Sequence, residues 1–306
     1  MALYFFCFNA HHRAATVRRG VFGRVHCLVT GASGYIGAVL VPALRAEGHC
    51  VTAHTNTRAA PSEANFSLVG ELDSAALLAA LDGVDAVIHM AAIAHQRSTA
   101  AAYQRINVDA TLGLAQHSAH CGVKRFIFLS SVKAATAQGR AERGVAAGSE
   151  LRPMDYAGSK WAAEKGLQAL CEGASMSLGI VRPALVYGPG ALGHLAWLRR
   201  WVNARMPAPP VGGGRAMIAR TDLVALLVRL LQAESGPHPV TLTDGEHYSV
   251  RRLHTALCRG LGRQPLLPSP PATLWHLSAD ALDLLRGEPR GSTWERLAAS
   301  EPCKSS

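Results

Sequence analysis

Three absences limit what this 306-residue chain can be. No apolar stretch reaches the roughly 18 residues that a bilayer-spanning helix needs, so the sequence predicts no membrane span. The seven cysteines are scattered and include no Cys-x-x-Cys pair, which argues against a disulfide framework and against a zinc site. We therefore expect no metal centre, and small buried thiols in a reducing, cytoplasmic compartment.

The third absence concerns charge clustering. The net charge is +10, yet there is no long basic run and no stripe of basic and aromatic residues. We predict a solvated surface charge that helps an anionic substrate, and no nucleic-acid partner. The 49% apolar composition is enough for a substantial core, in one large α/β unit or in two unequal lobes.

The first 24 residues differ from the rest of the chain. An apolar segment, Leu3 to Phe8, is followed rather than preceded by arginines, an order that does not fit a secretory signal. The lack of acidic residues leaves a transit peptide open. We expect residues 1–24 to be a disordered or artefactual extension, with the fold starting at Val25.

What the sequence does have is a regular alternation of strand-like and helix-like segments. Strand patterns lie at 25–29, 50–55, 66–69, 86–90, 125–129 and 177–181, and helical patterns at 35–47, 77–81, 99–121 and 156–171. This alternation predicts an α/β fold with a parallel, doubly wound sheet. A loop is expected at 134–152. Past Pro189 the rhythm breaks, which predicts a smaller, mostly helical lobe with helices at 223–231 and 250–261 and a strand at 240–242.

A glycine-punctuated turn follows the first strand. Residues 30–37 read Thr-Gly-Ala-Ser-Gly-Tyr-Ile-Gly. Gly31 permits a sharp turn, Gly34 lets the backbone approach a diphosphate, and Gly37 lets the next helix pack closely on the sheet. The helix N-terminus then attracts the anion. A glycine triplet alone is weak evidence, but a preceding strand and a following helix predict a dinucleotide site, formed by Gly31, Ser33, Gly34, Tyr35, Ile36 and Gly37.

The choice of dinucleotide depends on the end of the second strand. An acid that binds the ribose 2′-hydroxyl is expected about 20 residues past the glycines, but residues 54–58 contain none. Arg58 is instead suited to a 2′-phosphate. The cofactor is therefore NAD or NADP, and Arg58 favours NADP.

Tyr156 and Lys160 are four residues apart on a predicted helix and so share one face. A lysine ammonium beside a phenol favours the phenolate, which makes Tyr156 a candidate general acid/base. Such a pair arises by chance in about one chain in ten of this composition. Ser131, after the strand at 125–129, and Asn107, in the preceding helix, extend the pattern, although a lone serine at a strand end more often serves turn chemistry.

These motifs, in this order, resemble the extended short-chain dehydrogenase/reductases of the NAD-dependent epimerase/dehydratase family. The resemblance covers residues 25–261. Besides the glycine turn, it rests on His89-Met90-Ala91-Ala92, Asn107-Val108-Asp109-x-Thr111, Ser130-Ser131-Val132-Lys133, Tyr156-x-x-Ser159-Lys160 and the segment from Arg182 to Gly190. It implies a Rossmann-type dinucleotide-binding domain at 25–187 and a smaller substrate-binding lobe at 188–306.

The resemblance also implies roles for individual residues. Ser131 would hydrogen-bond the reacting sugar oxygen, Tyr156 would transfer its proton, Lys160 would hold the nicotinamide ribose, and Asn107 would organise the proton relay. Further residues expected to line the cofactor are Glu71, Leu72, Ala91, Ala92 and Pro183. The implied substrate is a UDP-sugar that reacts at C4, and a homodimer is left open.

Within the family, the chain resembles a bacterial subgroup of UDP-glucose 4-epimerases and UDP-4-keto-6-deoxy-N-acetylglucosamine C4-reductases. It departs from this subgroup at residues 134–137, which read Ala-Ala-Thr-Ala, and at Asp155, where the subgroup has proline. Epimerases, reductases and dehydratases share the same catalytic residues, so the sequence does not separate them. The alternative is a non-catalytic dinucleotide-binding protein that acts in redox sensing or assembly.

Overall fold

The computed structural model describes residues 24–94, 98–142, 154–191, 194–210, 212–232, 238–285 and 290–291. Internal contacts divide it into two units: a sheet unit, within 21–184 and 218–242, and a C-terminal unit, within 185–217 and from 243 onward. The expected N-terminal extension lies outside the described residues, apart from Arg24. Residues 218–242, which the sequence analysis assigns to the smaller lobe, pack with the sheet.

In chain order, the strands of the described residues are β1 (His26–Thr30), β2 (Cys50–Thr55), β3 (Phe66–Val69), β4 (Ala86–His89), β5 (Arg125–Leu129), β6 (Ser177–Pro183), β7 (Leu185–Tyr187), β8 (Arg215–Ala219), β9 (Val240–Leu242) and β10 (His247–Tyr248). The main sheet has the order β3-β2-β1-β4-β5-β6-β9, and all its pairs are parallel. The predicted doubly wound parallel sheet is thus confirmed.

The helices are α1 (Gly37–Ala46), α2 (Ala75–Ala79), α3 (Ala100–Ala102), a π-helix (Tyr103–Asp109), α4 (Ala110–His120), α5 (Val132–Ala141), α6 (Tyr156–Cys171), α7 (His194–Asn203), α8 (Arg220–Leu230), α9 (Val250–Gly260) and α10 (Ala272–Leu285). Among the described residues, no helix combines the length and the apolar character needed to cross a membrane.

The predicted loop at 134–152 is wrong over its first part, because α5 occupies residues 132–141. Ser131 caps this helix by accepting a hydrogen bond from the Lys133 N–H, at 3.3 Å. Alanine-rich sequence favours helix, and the small side chains of Ala134 and Ala137 are buried. The remainder of that segment, 143–152, lies outside the described residues.

The main core lies between the central strands and the helices that cover them. Leu28, Val87, Phe126 and Phe128 are fully buried, as expected for parallel strands that are covered on both faces. The strand order reverses between β1 and β4, so the turns that follow these two strands diverge. In open α/β sheets this switch point, at the carboxyl ends of the strands, forms the ligand crevice.

The C-terminal unit contains α7, α9 and α10 and a small sheet of the order β10-β8-β7. The chain passes from this unit into the sheet unit within β8, after Met217. Trp201 of α7 packs against Trp275 of α10, with ring centroids 5.9 Å apart. Within α7 it also packs against Trp197, at 4.9 Å.

Candidate active site

The glycine turn brings the ends of β1 and β4 into close contact. Gly31 has a φ of +70°, and a Cβ added there would lie 2.9 Å from the Ala91 nitrogen. A Cβ at Gly37 would lie 2.5 Å from the Gly31 oxygen and 2.6 Å from the Ala32 oxygen. Gly37 therefore lets α1 pack on the backbone of the turn itself, rather than on the sheet as the sequence analysis expects. Both positions require glycine, and the turn forms a narrow cradle.

Positive potential accumulates at this turn. The first turn of α1 has no acidic residue and no side-chain cap, so its macrodipole is not offset locally. The Arg220 guanidinium lies 4.4 Å from the centre of the Tyr35 ring, and its Nη1 donates to the Tyr35 carbonyl at 3.2 Å. No local pattern in the sequence points to Arg220, because it lies 185 residues from Tyr35 in the chain. This charge pattern suits a diphosphate.

A buried chain of hydrogen bonds fixes the end of β4. The Thr111 hydroxyl donates to the Asn107 carbonyl at 2.9 Å, so it accepts from His89 Nε2–H, also at 2.9 Å. His89 Nδ1 then accepts from the Thr30 hydroxyl at 2.7 Å. The Thr30 oxygen accepts in turn from the Ala91 N–H at 3.3 Å. Burial, together with the nearby Lys160 charge, lowers the pKa of His89 to about 3, so the imidazole is neutral.

Asn107 lies in the π-helix, a distortion that often accompanies functional sites. Its Oδ1 accepts from the Ile93 N–H at 2.8 Å, and its Nδ2 donates to the Ser159 hydroxyl at 3.0 Å. Asn107 thus ties the segment after β4 to helix α6. Helices occupy most of the segment 99–121, as the sequence predicts. The spacing of its apolar residues, however, did not indicate that residues 103–109 form a π-helix.

Ser131, Tyr156 and Lys160 come together at the end of β5. The Ser131 side chain hydrogen-bonds Tyr156. Lys160 is 2% exposed; its Nζ donates to the Leu129 carbonyl at 2.9 Å and lies 4.4 Å from the centre of the Phe128 ring. Helix α6 begins at Tyr156, capped by the Asp155 carboxylate, which accepts from Gly158 N–H at 2.7 Å.

The expectation that Lys160 favours the Tyr156 phenolate is not met. Burial raises the pKa of Tyr156 to about 12, and only the hydrogen bond from Ser131 opposes this rise. Burial also lowers the pKa of Lys160 to about 7. The physical reason is that the apolar surroundings disfavour both charged forms. The phenol is therefore neutral at pH 7 and can donate a proton.

A buried ion pair that was not predicted from the sequence adjoins this group. Glu164, 1% exposed, accepts from Arg182 Nε at 2.9 Å and also from Arg182 Nη2 and the Ser130 hydroxyl. Arg182 is 8% exposed, and its Nη2 donates to Gln138 at 3.1 Å. One feature of the sequence could have indicated this pair: Glu164 lies one helical turn beyond Lys160 and so shares its helix face.

The remaining predicted residues are more dispersed. Arg58 is exposed, three residues past the end of β2. Glu71 is exposed and forms a surface ion pair of 3.7 Å with Arg105, whereas Leu72 packs against the core. Pro183 is buried at the end of β6. Among the described residues, no group of three or more acidic, His or Cys side chains could hold a metal ion.

The chain is similar to known proteins in both sequence and fold. The model of the NAD-dependent epimerase/dehydratase family matches residues 27–250. A UDP-glucose 4-epimerase from Vibrio cholerae is 30% identical over 261 residues, which is 78% of each protein. A 4-hydroxy-2-methyl-3-oxo-4-farnesyl-3,4-dihydroquinoline-1-oxide ketoreductase from Stigmatella aurantiaca is 28% identical, over 76% of this chain and 72% of its own length. The solved structure of MoeE5 in complex with UDP-glucose and NAD is 26% identical, with a TM-score of 0.64 over 81% of this chain and 84% of that one.

Proposed function

The chain belongs to the NAD-dependent epimerase/dehydratase family, and we propose that it is an NAD(P)-dependent enzyme that transfers hydride at C4 of a UDP-hexose. The observation that carries the proposal is the contact of Ser131 with Tyr156, next to buried Lys160, at the carboxyl end of β5. This end of the sheet also holds the glycine cradle, so a cofactor-binding turn and a proton-transferring group belong to one sheet edge.

The residues at the switch point fit a dinucleotide. The cradle at Gly31 has no room for a side chain, and the uncapped start of α1 with Arg220 offers positive charge to a diphosphate. The residues proposed to hold the dinucleotide are those of the turn (Gly31, Ser33, Gly34, Tyr35, Ile36 and Gly37), with Glu71, Leu72, Ala91, Ala92, Pro183, Tyr156 and Lys160. When bound there, the nicotinamide supplies the hydride acceptor or donor.

NAD and NADP both remain candidates. MoeE5 was solved with NAD, which supports NAD for this chain. The exposed position of Arg58 is compatible with a 2′-phosphate, and it keeps the NADP hypothesis testable. The C-terminal unit is the proposed substrate lobe, and a homodimer stays an expectation.

The contacts support the proposed catalytic roles. Tyr156 donates a proton to the C4 oxygen when the keto sugar is reduced and recovers it in the reverse direction. Ser131 already hydrogen-bonds Tyr156, so it can hold the sugar oxygen within reach of the same hydroxyl. Lys160 supplies a positive charge beside the ribose, and Asn107 holds α6 against the segment after β4.

The proposal is tested by a substrate screen. Purified protein is incubated with UDP-hexoses and their 4-keto derivatives, with NAD(H) or NADP(H), and products are identified by NMR. We expect a C4 epimer or a C4 alcohol. Tight cofactor binding without any product would instead favour the non-catalytic dinucleotide-binding alternative.

A further inference from the structure

One face of α6 is clamped to the end of β5 at three successive turns. Tyr156, Lys160 and Glu164 follow each other at intervals of four residues, so they lie above one another on the same helix face. Each contacts a different residue of the segment 129–131: Tyr156 contacts Ser131, Lys160 contacts the Leu129 carbonyl, and Glu164 contacts the Ser130 hydroxyl. The first two are proposed site residues, and the third has no role so far.

Glu164 and Lys160 are both nearly inaccessible to water, at 1% and 2% exposure. An isolated buried ammonium is costly, and a buried lysine without a counter-ion loses its proton. The Glu164 charge acts on Lys160 in the opposite sense to burial and raises its pKa. The carboxylate cannot move away, because Arg182 grips both of its oxygens and Ser130 donates to one of them.

We propose that Glu164, held in place by Arg182 and Ser130, is the buried negative charge that stabilises the protonated form of Lys160. Glu164 is thus a positioning residue, since it acts through Lys160. Its importance for catalysis rests on the function proposed above, but the electrostatic coupling itself does not.

The charged and titratable groups around Lys160 come from several elements. On α6 these are Tyr156 and Glu164, and β6 contributes Arg182. From β4 comes His89, which is neutral. From α5 comes Lys133, whose Nζ lies 6.0 Å from the centre of the Tyr156 ring. Among these groups Glu164 carries the fixed negative charge. Its removal would leave two buried cationic side chains, Lys160 and Arg182, without that charge.

The experiment measures the titration of Lys160 directly. The chain has five lysines, so ¹³Cε-lysine labelling gives a simple NMR spectrum in which a Lys160→Met variant assigns the signal. The pH midpoint of the Lys160 titration is compared, without cofactor, in four proteins. These are the wild type, Glu164→Gln, Arg182→Gln and the double variant, which carries both changes and so keeps the net charge. Lys165→Gln, which removes a neighbouring lysine but not the pair, is the matched control.

We expect the midpoint to be highest in Arg182→Gln, lower in the wild type, lower again in the double variant and lowest in Glu164→Gln. The fall from the wild type to Glu164→Gln should be about one pH unit or more, as for the loss of a nearby opposite charge. Equal midpoints in the wild type and the double variant would overturn the proposal, even if Glu164→Gln alone does not fold. The order of the four Lys160 midpoints does not depend on enzymatic activity. This test can therefore succeed or fail independently of the test of the proposed function.

Discussion

The close packing at Gly37 predicts that alanine there destabilises the protein. The added Cβ would lie 2.5 Å from the Gly31 oxygen, 2.6 Å from the Ala32 oxygen and 2.7 Å from the Ala32 Cα. All three are backbone atoms, so no flexible side chain can move aside to relieve the clash. Overpacking of this kind costs about 1–3 kcal/mol. Relief would require the turn to open, which would also weaken binding of NADH.

Gly113 provides the matched control, because it lies within a helix with open space around it. It belongs to α4, and a Cβ added there would meet no atom within 4 Å. Gly113→Ala should therefore stabilise the protein by about 0.5–1 kcal/mol, the usual gain for alanine over glycine inside a helix. The two glycine-to-alanine changes are chemically identical and should have opposite signs.

Urea unfolding, followed by circular dichroism, measures both variants against the wild type. The expected result is a lower midpoint for Gly37→Ala and a higher one for Gly113→Ala, with similar m-values. The dissociation constant for NADH, from nucleotide fluorescence, should rise only for Gly37→Ala. A Gly37→Ala variant that is as stable as the wild type and binds NADH equally well would refute the reasoning about the cradle.

Three further predictions follow from the site. Tyr156→Phe should fold and bind cofactor normally but lose about 10²- to 10⁴-fold in kcat, the usual contribution of a general acid/base; a wild-type kcat would remove Tyr156 from the chemistry. If Arg58 meets a 2′-phosphate, Arg58→Ala should narrow a preference for NADPH over NADH by about 10- to 150-fold, measured at fixed salt; equal affinities in the wild type exclude this role. Because the pKa of His89 is about 3 when folded and about 6.5 when unfolded, the unfolded state binds more protons between these values, so stability should fall as pH drops from 6.5 towards 3, by up to about 1.4 kcal/mol per pH unit. Urea titrations at pH 6.5 and 4.5 should show a smaller difference for His89→Gln, and an unchanged difference would contradict a neutral buried His89.

The sheet was predictable because each of its strands carries a local signal. The runs at 50–55, 66–69 and 125–129 are strands with the predicted bounds, since short runs rich in apolar and β-branched residues between turn signals have few alternatives. Strand β9, Val240–Leu242, has the predicted bounds too. Its place at the edge of the main sheet, however, depends on pairing with Val181 to Pro183 of β6, about 60 residues earlier. Such long-range pairing leaves no local trace.

The parts of the site that escaped prediction depend on burial and on distant partners. The sequence indicates a loop at the position of α5, because the glycine, arginine and alanine residues there form no apolar stripe. Glu164 was not singled out, since a glutamate on a helix is usually solvated and its partner Arg182 lies on a strand. The raised pKa of Tyr156 follows from desolvation, which a four-residue spacing to Lys160 does not reveal.

The most direct test of the central claim follows a deuterium label at C4 of the sugar. A UDP-hexose deuterated at C4 is mixed with wild-type protein and NAD or NADP in single turnovers, and the products are analysed by NMR. The proposed function predicts that the label is transferred to the nicotinamide ring or retained at C4 of an epimerised sugar, and that Tyr156→Phe slows this transfer by about 10²- to 10⁴-fold. Loss of the label to solvent, or a Tyr156→Phe variant that transfers it as fast as the wild type, would contradict hydride transfer at C4 by this site.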